Sequence, residues 1–280
     1  MSDSIIEVED VQFSYPSGVN AIKGVSLKIF KGERVALLGP NGSGKSTLML
    51  LMAGLLTPQK GAINVFGKST SSKEFPKLRR RIGVVFQDPD DQLFTQSVAE
   101  DVEYGPKNLG LPEAETKQRS EEVLIKIGIN HLKNRPPHRL SFGEKKKASL
   151  ATALVLKPEL LILDEPTANL DLVSRRGLIG MLNELNREGA TLLVATHDVE
   201  ALPELADRVV VISAGTMLGE GKTSEVLRDM KLLGSAGLEQ PAIAKLFSEL
   251  RTAGLVKDTP VTTSDAVREL SGLLKKERLS

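Results

Sequence analysis

The run Gly39-Pro40-Asn41-Gly42-Ser43-Gly44-Lys45-Ser46-Thr47 constrains this chain more than any other stretch of it. Before it lies a short apolar segment, Arg34 to Leu38, that reads as a strand, and after it Thr47 to Leu56 carries helix-forming residues. A glycine-rich turn between a strand and a helix lets consecutive backbone N–H groups turn inward, and the helix N-terminus adds partial positive charge. Such a loop is a cradle for phosphate groups. Lys45 is placed to neutralise β- and γ-phosphate oxygens, and the Ser46 hydroxyl to ligate Mg²⁺.

The rest of the chain supplies the scaffold that this loop needs. Period-two alternation marks Ile5 to Tyr15, with Val11, Phe13 and Tyr15 on one face, and also Ala21 to Phe30. Further strands are expected at Ala62 to Phe66, Ile82 to Phe86, Leu160 to Leu163, Leu192 to Ala195 and Arg208 to Ile212, most of them followed by helical patterns. That alternation predicts an α/β fold with a mainly parallel sheet. The segment 88–158 has helical periodicity punctuated by Pro and Gly, and reads as a helical subdomain inserted in the sheet order. Beyond Arg228 the strand signal stops, and two amphipathic stretches follow, Pro241 to Ala253 and Ser264 to Lys276. The expected organisation is a main domain over 1–227 and a helical C-terminal extension over 228–280.

Composition removes other classes. Lys and Arg total 37 against 36 Asp and Glu, so no net field favours nucleic acid, and none is expected as a partner. The absence of cysteine excludes a disulfide framework, a thiolate nucleophile and thiolate metal sites, and with 3 histidines a soft-metal site is not expected. The acidic start MSDSIIEVED lacks the pattern of a secretory signal, and the longest apolar runs fall far short of the ~20 residues a spanning helix needs. A membrane role would have to come through a partner.

Three further motifs carry chemistry. Leu160 to Pro166 is an apolar strand ending in two carboxylates; Asp164 falls at its carboxyl end, where it can hold Mg²⁺ through water, and Glu165 can act on an attacking water. In Leu140-Ser141-Phe142-Gly143-Glu144-Lys145-Lys146, Ser141 and Glu144 have the spacing of a capping box that opens a helix, Lys145 to Leu156. Asp171 in Asn169-Leu170-Asp171 is positioned to cap a helix from Leu172 to Arg187.

The order of phosphate loop, Gln87, the Leu140 to Gly143 signature, Asp164-Glu165, Asn169-Leu170-Asp171 and His197 resembles that of ATP-binding-cassette (ABC) ATPases, from Tyr15 to His197. The resemblance implies an α/β P-loop NTPase cassette with an antiparallel N-terminal β subdomain, MgATP hydrolysis, and two chains facing each other around two ATP molecules. Tyr15 then stacks on adenine, and Gly39, Pro40, Asn41, Gly42, Ser43, Gly44, Lys45, Ser46 and Thr47 hold the triphosphate. Ser46, Gln87 and Asp164 serve the Mg²⁺. Ser141 and Gly143 complete the site of the opposite chain, and Asp171 communicates across the pair. Glu165, His197, Lys45 and Gln87 carry the reaction. Phe142 departs from the family's usual Gly, placing a ring in the signature.

Phe86 to Phe94 and the SVAEDVEYGPKNLGL that follows Gln96 resemble the cobalt-transporter type, the ATPases of energy-coupling-factor (ECF) importers. Leu238-Glu239-Gln240-Pro241 and the helix after it resemble the C-terminal extension of those proteins, which helps hold the pair together. The partners implied are a second ATPase, identical or related, an integral membrane coupling subunit gripped near Gln92-Leu93-Phe94, and a substrate-binding membrane subunit, all at the cytoplasmic face of the membrane. Cobalt is the solute that fits best, with nickel or a vitamin as alternatives. A soluble ABC ATPase of DNA repair would need a coiled coil between Lys45 and Ser141, for which there is no room, and one of translation usually has two cassettes in one chain. A cassette that binds ATP without turnover is disfavoured by Glu165 and His197. His131 and His138 match no motif.

Overall fold

The computed structural model describes residues 4–277. Two long amphipathic strands, β1 (Ser4–Ser14) and β2 (Asn20–Phe30), pair antiparallel and bury Val11, Phe13, Ile22, Val25 and Ile29 on one side. With β4 (Lys60–Val65) and the two-residue β5 (Lys68–Ser69) they form an antiparallel sheet in the order β2-β1-β4-β5. This is the antiparallel N-terminal layer expected from the sequence.

The second sheet holds β3 (Arg34–Leu38), β6 (Ile82–Val85), β7 (Leu160–Asp164), β8 (Thr191–Thr196), β9 (Arg208–Ser213) and β10 (Thr216–Lys222) in the order β10-β9-β3-β8-β7-β6. All neighbours are parallel except β10, which returns antiparallel to β9. Its central strands read as near-continuous apolar runs because both faces are covered. Leu160, Ile162, Leu193 and Ala195 pack with Leu48 and Met52 of α1 (Lys45–Met52) and with the antiparallel sheet. Leu161, Leu163, Leu192 and Val194 face the other way, onto α5 (Leu172–Arg187) and the helices inserted between β6 and β7. Those are α2 (Val98–Asn108), α3 (Glu113–Ile127) and α4 (Phe142–Leu154).

Several boundaries differ from the sequence expectation for local reasons. Helix α1 ends at Met52 rather than Leu56, because Gly54 turns the chain at φ +66° and leaves no room for a side chain beside the Phe75 ring. Helix α4 begins at Phe142 rather than Lys145, since the capping box makes Ser141 the N-cap, and it stops at Leu154. The hairpin strand β10 was not expected: its glycines at 219 and 221 interrupt the apolar alternation, and pairing with β9 supplies the regularity instead.

After α6 (Leu202–Leu205) and α7 (Thr223–Arg228), the tail contains, among the described residues, three helices and not two: α8 (Met230–Ser235), α9 (Ala242–Thr252) and α10 (Thr263–Glu277). Helix α8 is too short to show a period. Leu233 of α8 and Ala244 of α9 pack on the parallel sheet, while Phe247, Val256 and Ala266 form a small separate core. Gln240 donates its side-chain amide to the carbonyls of Leu227 and Arg228, tying the start of α9 to the end of α7. No helix among the described residues is long and apolar enough to cross a membrane.

Candidate nucleotide site

The glycine-rich loop connects the C-terminal end of β3 to α1, at the edge of the parallel sheet where β7 and β8 also end. Space forces glycine at two of its positions. A Cβ at Gly39 would lie 2.1 Å from the carbonyl oxygen of Ile212, and Gly44 has φ +103° with the Ala21 carbonyl 2.6 Å from where its Cβ would be. The loop therefore sits hard against β9 and β2.

Lys45, only 5% exposed, donates to the carbonyls of Gly39 (2.7 Å) and Pro40 (3.0 Å), which holds its ammonium across the mouth of the loop. Burial lowers its pKa, while Glu165 and Asp164 pull it back up. The cleft in front of the loop has a volume of about 530 Å³ and is lined by Tyr15, Asn41 to Thr47, Gln87, Asp164 and Glu165, so one concavity gathers the residue after β1, the loop and the ends of β6 and β7. A larger cleft of about 700 Å³ lies at the opposite, N-terminal edge of the sheet, between Lys31, Lys126, Leu161 and Leu185, and is lined by none of the candidate site residues.

Asp164 ends β7. Burial raises its pKa above the ordinary aspartate value; the Ser46 hydroxyl and the ammonium groups of Lys45 and Lys146 act against that, and Glu165 adds to it. One of its oxygens, Oδ1, is buried without a hydrogen-bond partner. An orphaned carboxylate oxygen beside a hydroxyl and an exposed glutamine is a hard-oxygen donor set, which suits Mg²⁺. Among the described residues there is no group of three or more His, Cys, Asp or Glu side chains fit to hold a metal, so a divalent ion here would need ligand oxygens from a bound phosphate.

Glu165, the next residue, is 4% exposed and adopts φ +44°, a left-handed conformation that is uncommon outside glycine. That turn sends its side chain across to the end of β8. There Oε1 lies 2.7 Å from Nδ1 of His197, and Oε2 accepts from the Thr196 hydroxyl at 3.1 Å. An ionised carboxylate only accepts, so Nδ1 carries the hydrogen and the other ring nitrogen of this half-exposed histidine is left for a ligand.

Ser141, Gly143 and Asp171 lie outside this cleft, and Tyr15 at its edge. Ser141 is exposed, and its hydroxyl accepts from the Glu144 N–H (3.3 Å) while Glu144 accepts from the Ser141 N–H (2.8 Å), the expected capping box. Those hydrogen bonds hold the Glu144 carboxyl below its usual range, backbone N–H first. A Cβ on Gly143 would meet the Ser174 hydroxyl at 3.3 Å, so the signature and the start of α5 form one surface. Asp171 caps α5 through the N–H groups of Val173 and Ser174, both at 2.9 Å. Tyr15 is half-buried, edge-on to Phe13 at 5.0 Å, with its hydroxyl 3.0 Å from that of Thr47.

Two residues gain roles that the sequence did not give them. Gln92, read as part of a partner groove, turns its amide inward: it donates to Val84, Ser149 and Thr152 and accepts from the Phe86 N–H, bracing the loop after β6 against α4. Phe94 beside it is 64% exposed and stacks edge-on with exposed Tyr104 at 4.9 Å. Lys146, which the motif places only as a helix residue, is 3% exposed, and burial lowers its pKa to about 8 against the pull of Asp164, Asp88 and Glu165. A Lys on the inner face of α4 looks like any surface lysine until the helix is docked.

A glycine-rich phosphate cradle, a strand-end Asp-Glu pair and an inserted helical signature on one parallel sheet define a P-loop nucleotide-binding cassette. The profile of the family described as "ABC transporter" matches residues 22–168. An energy-coupling factor transporter ATP-binding protein EcfA of Methanothermobacter thermautotrophicus is 45% identical over 272 residues, covering 96% of this chain and 88% of the relative. The cobalt import ATP-binding protein CbiO of Rhodobacter capsulatus is 46% identical over 244 residues, covering 86% of this chain and 87% of the relative. Among solved structures, cbiO1 from Clostridium perfringens, described as part of the ABC transporter complex cbiONQ, superposes with a TM-score of 0.74 at 42% identity over 88% of this chain and 99% of its own. A dimeric ATP-binding cassette bound to ADP and Pi follows with a TM-score of 0.72 and 29% identity over 78% of this chain and 98% of its own. The chain belongs to the ABC transporter family, as an ATP-binding subunit of the ECF and CbiO type.

Proposed function

We propose that this subunit hydrolyses MgATP as one half of a pair to drive a membrane importer whose solute is cobalt ion. The observation that carries the reading is that the cleft of the Lys45 cradle is also lined by Glu165, whose carboxylate lies 2.7 Å from Nδ1 of His197 at the end of the neighbouring strand. The cradle N–H groups and Lys45 bind the β- and γ-phosphates. Ser46, Asp164 and Gln87 would hold the Mg²⁺, which supplies charge neutralisation at the transferring phosphoryl group. Glu165 takes a proton from water as the water oxygen bonds to the γ-phosphorus; the bond from that phosphorus to the bridging oxygen breaks, and its electron pair leaves with ADP. His197 keeps the Glu165 carboxylate aimed and presents its second ring nitrogen to the γ-phosphate.

Ser141 and Gly143 lie outside the cleft, which supports their serving the site of a second chain. There the first-turn N–H groups of α4, exposed next to the capping box, meet the γ-phosphate. Helices α9 and α10 support a dimer-stabilising role for the extension, because Leu246, Val267, Leu270 and Leu274 form exposed apolar positions on them. The Phe94–Tyr104 pair supplies an apolar grip for the cytoplasmic helices of a membrane subunit, which would hold this chain at the cytoplasmic face.

Tyr15→Ala removes the aromatic face and, at ~1–3 kcal/mol per stacked base, weakens ATP affinity by roughly 5- to 150-fold. Equilibrium titration with a fluorescent nucleotide measures it, and an unchanged affinity means that adenine sits elsewhere. The solute is tested by reconstituting the chain with its membrane subunits in vesicles. ATP-dependent uptake of labelled cobalt is the expected result. Uptake of nickel or a vitamin instead would retain the importer and replace the solute, and an assembled complex that releases no phosphate would end the whole reading.

A further inference from the structure

Lys146 stands where three segments meet. It lies on the inner face of α4, one turn after the signature, and its Nζ donates to the carbonyl oxygen of Gln87 at 2.6 Å and to that of Glu165 at 3.2 Å. Gln87 belongs to the loop after β6 and Glu165 to the end of β7, so one ammonium joins the signature helix to both segments that carry the expected water-activating and Mg²⁺-sensing groups. The ring of Phe142, four residues earlier on the same helix, lies 5.7 Å from that nitrogen, within reach of a cation–π contact. Neither hydrogen-bond partner is a carboxylate. A buried charge satisfied by two carbonyls and a ring contributes little net stability compared with an apolar side chain in the same place. Its contacts fall instead on a backbone whose geometry matters: Glu165 holds φ +44°, and Lys146 grips the carbonyl of that residue while Thr196 and His197 grip its carboxylate. The residue is thereby held at its main chain and at its carboxylate.

We propose that Lys146 is a positioning residue for hydrolysis: it clamps the Gln87 and Glu165 peptides to the signature helix, so that the carboxylate is aimed at water only while α4 is docked, and Phe142 is the ring that closes this clamp. The departure of the signature from Gly at position 142 then has a purpose inside the same chain. This inference rests on the reading of Glu165 as the group that activates water. A displacement of about 1 Å at such a group is enough to cost on the order of 100-fold in rate.

The test uses the full chain and compares Lys146→Met, Phe142→Leu, the double variant and Glu165→Gln in steady-state phosphate release, nucleotide affinity and thermal unfolding. Lys146→Met should lower kcat by 10- to 100-fold with KM for ATP and the unfolding temperature nearly unchanged. Phe142→Leu should lower kcat by a few-fold in the wild-type background and have no further effect beside Lys146→Met, because the ring acts through the ammonium. If Lys146→Met retains kcat within twofold, or loses affinity and thermal stability in proportion to rate, the clamp is wrong. If Lys146→Met does not fold, Phe142→Leu carries the test, and a kcat equal to wild type then overturns the inference. Wild-type turnover by Glu165→Gln would instead remove the reading of Glu165 itself, whatever Lys146 does, so the two failures are distinguishable.

Discussion

Glu165→Gln should bind ATP as tightly as the natural chain and hydrolyse it roughly 10²- to 10⁴-fold more slowly, leaving an ATP-bound pair that persists during gel filtration. The amide is nearly isosteric, so the left-handed turn at Glu165 and the neighbouring cradle are preserved, and what disappears is the proton acceptor. The contact with His197 changes with it. In the natural chain the carboxylate receives a hydrogen from Nδ1 at 2.7 Å and another from Thr196 at 3.1 Å, while an amide offers one acceptor oxygen in place of two. Phosphate release and the apparent mass of the protein in the presence of magnesium and ATP check both halves of the expectation. Turnover at the natural rate would assign the proton acceptor to another group.

Lys45→Ala should abolish measurable turnover through a different step. The ammonium is buried at 5% exposure and held by the Gly39 and Pro40 carbonyls, so it is preorganised at the place where phosphate charge arrives. Removing one such donor costs roughly 10²–10³ in rate where charge develops in the transition state, and the loss of a point charge facing the phosphates adds a loss of binding. Isothermal titration with a non-hydrolysable ATP analogue, run beside a phosphate-release assay, separates the two. An unchanged affinity and an unchanged rate together would remove Lys45 from the site. Glu165→Gln keeps nucleotide and loses chemistry, whereas Lys45→Ala loses both, and that contrast is the sharpest functional signature of this cleft.

The central sheet was legible because its physics is local to each strand: Leu160 to Leu163 and Leu192 to Ala195 are short runs apolar on both faces, which a doubly covered parallel strand accounts for. The cradle was legible for the same kind of reason, since Gly39 and Gly44 are demanded by close backbone neighbours that any such loop must have. Strand β10 was not legible, because Gly219 and Gly221 break its alternation and only β9 makes it regular. Lys146 and Gln92 were misread or overlooked for a deeper reason. Their partners are carbonyls and hydroxyls of segments remote in sequence, and main-chain acceptors leave no trace in a residue pattern. Glu165 and His197 were identifiable by resemblance, but the turn at φ +44° that brings them within 2.7 Å is a property of the assembled strand ends alone.

The bracing by Gln92 bears on how effort leaves this molecule. Its amide is bonded to Ser149 and Thr152 inside α4, and the neighbouring Asp90 takes the Lys145 ammonium at 2.6 and 2.8 Å, so the segment bearing Phe94 is bolted to the helix instead of hanging from it. A lever transmits a stroke only if its joint has no play. With these fastenings, a tilt of α4 would carry the exposed ring of Phe94 with it, and a push on that ring would be felt at the signature.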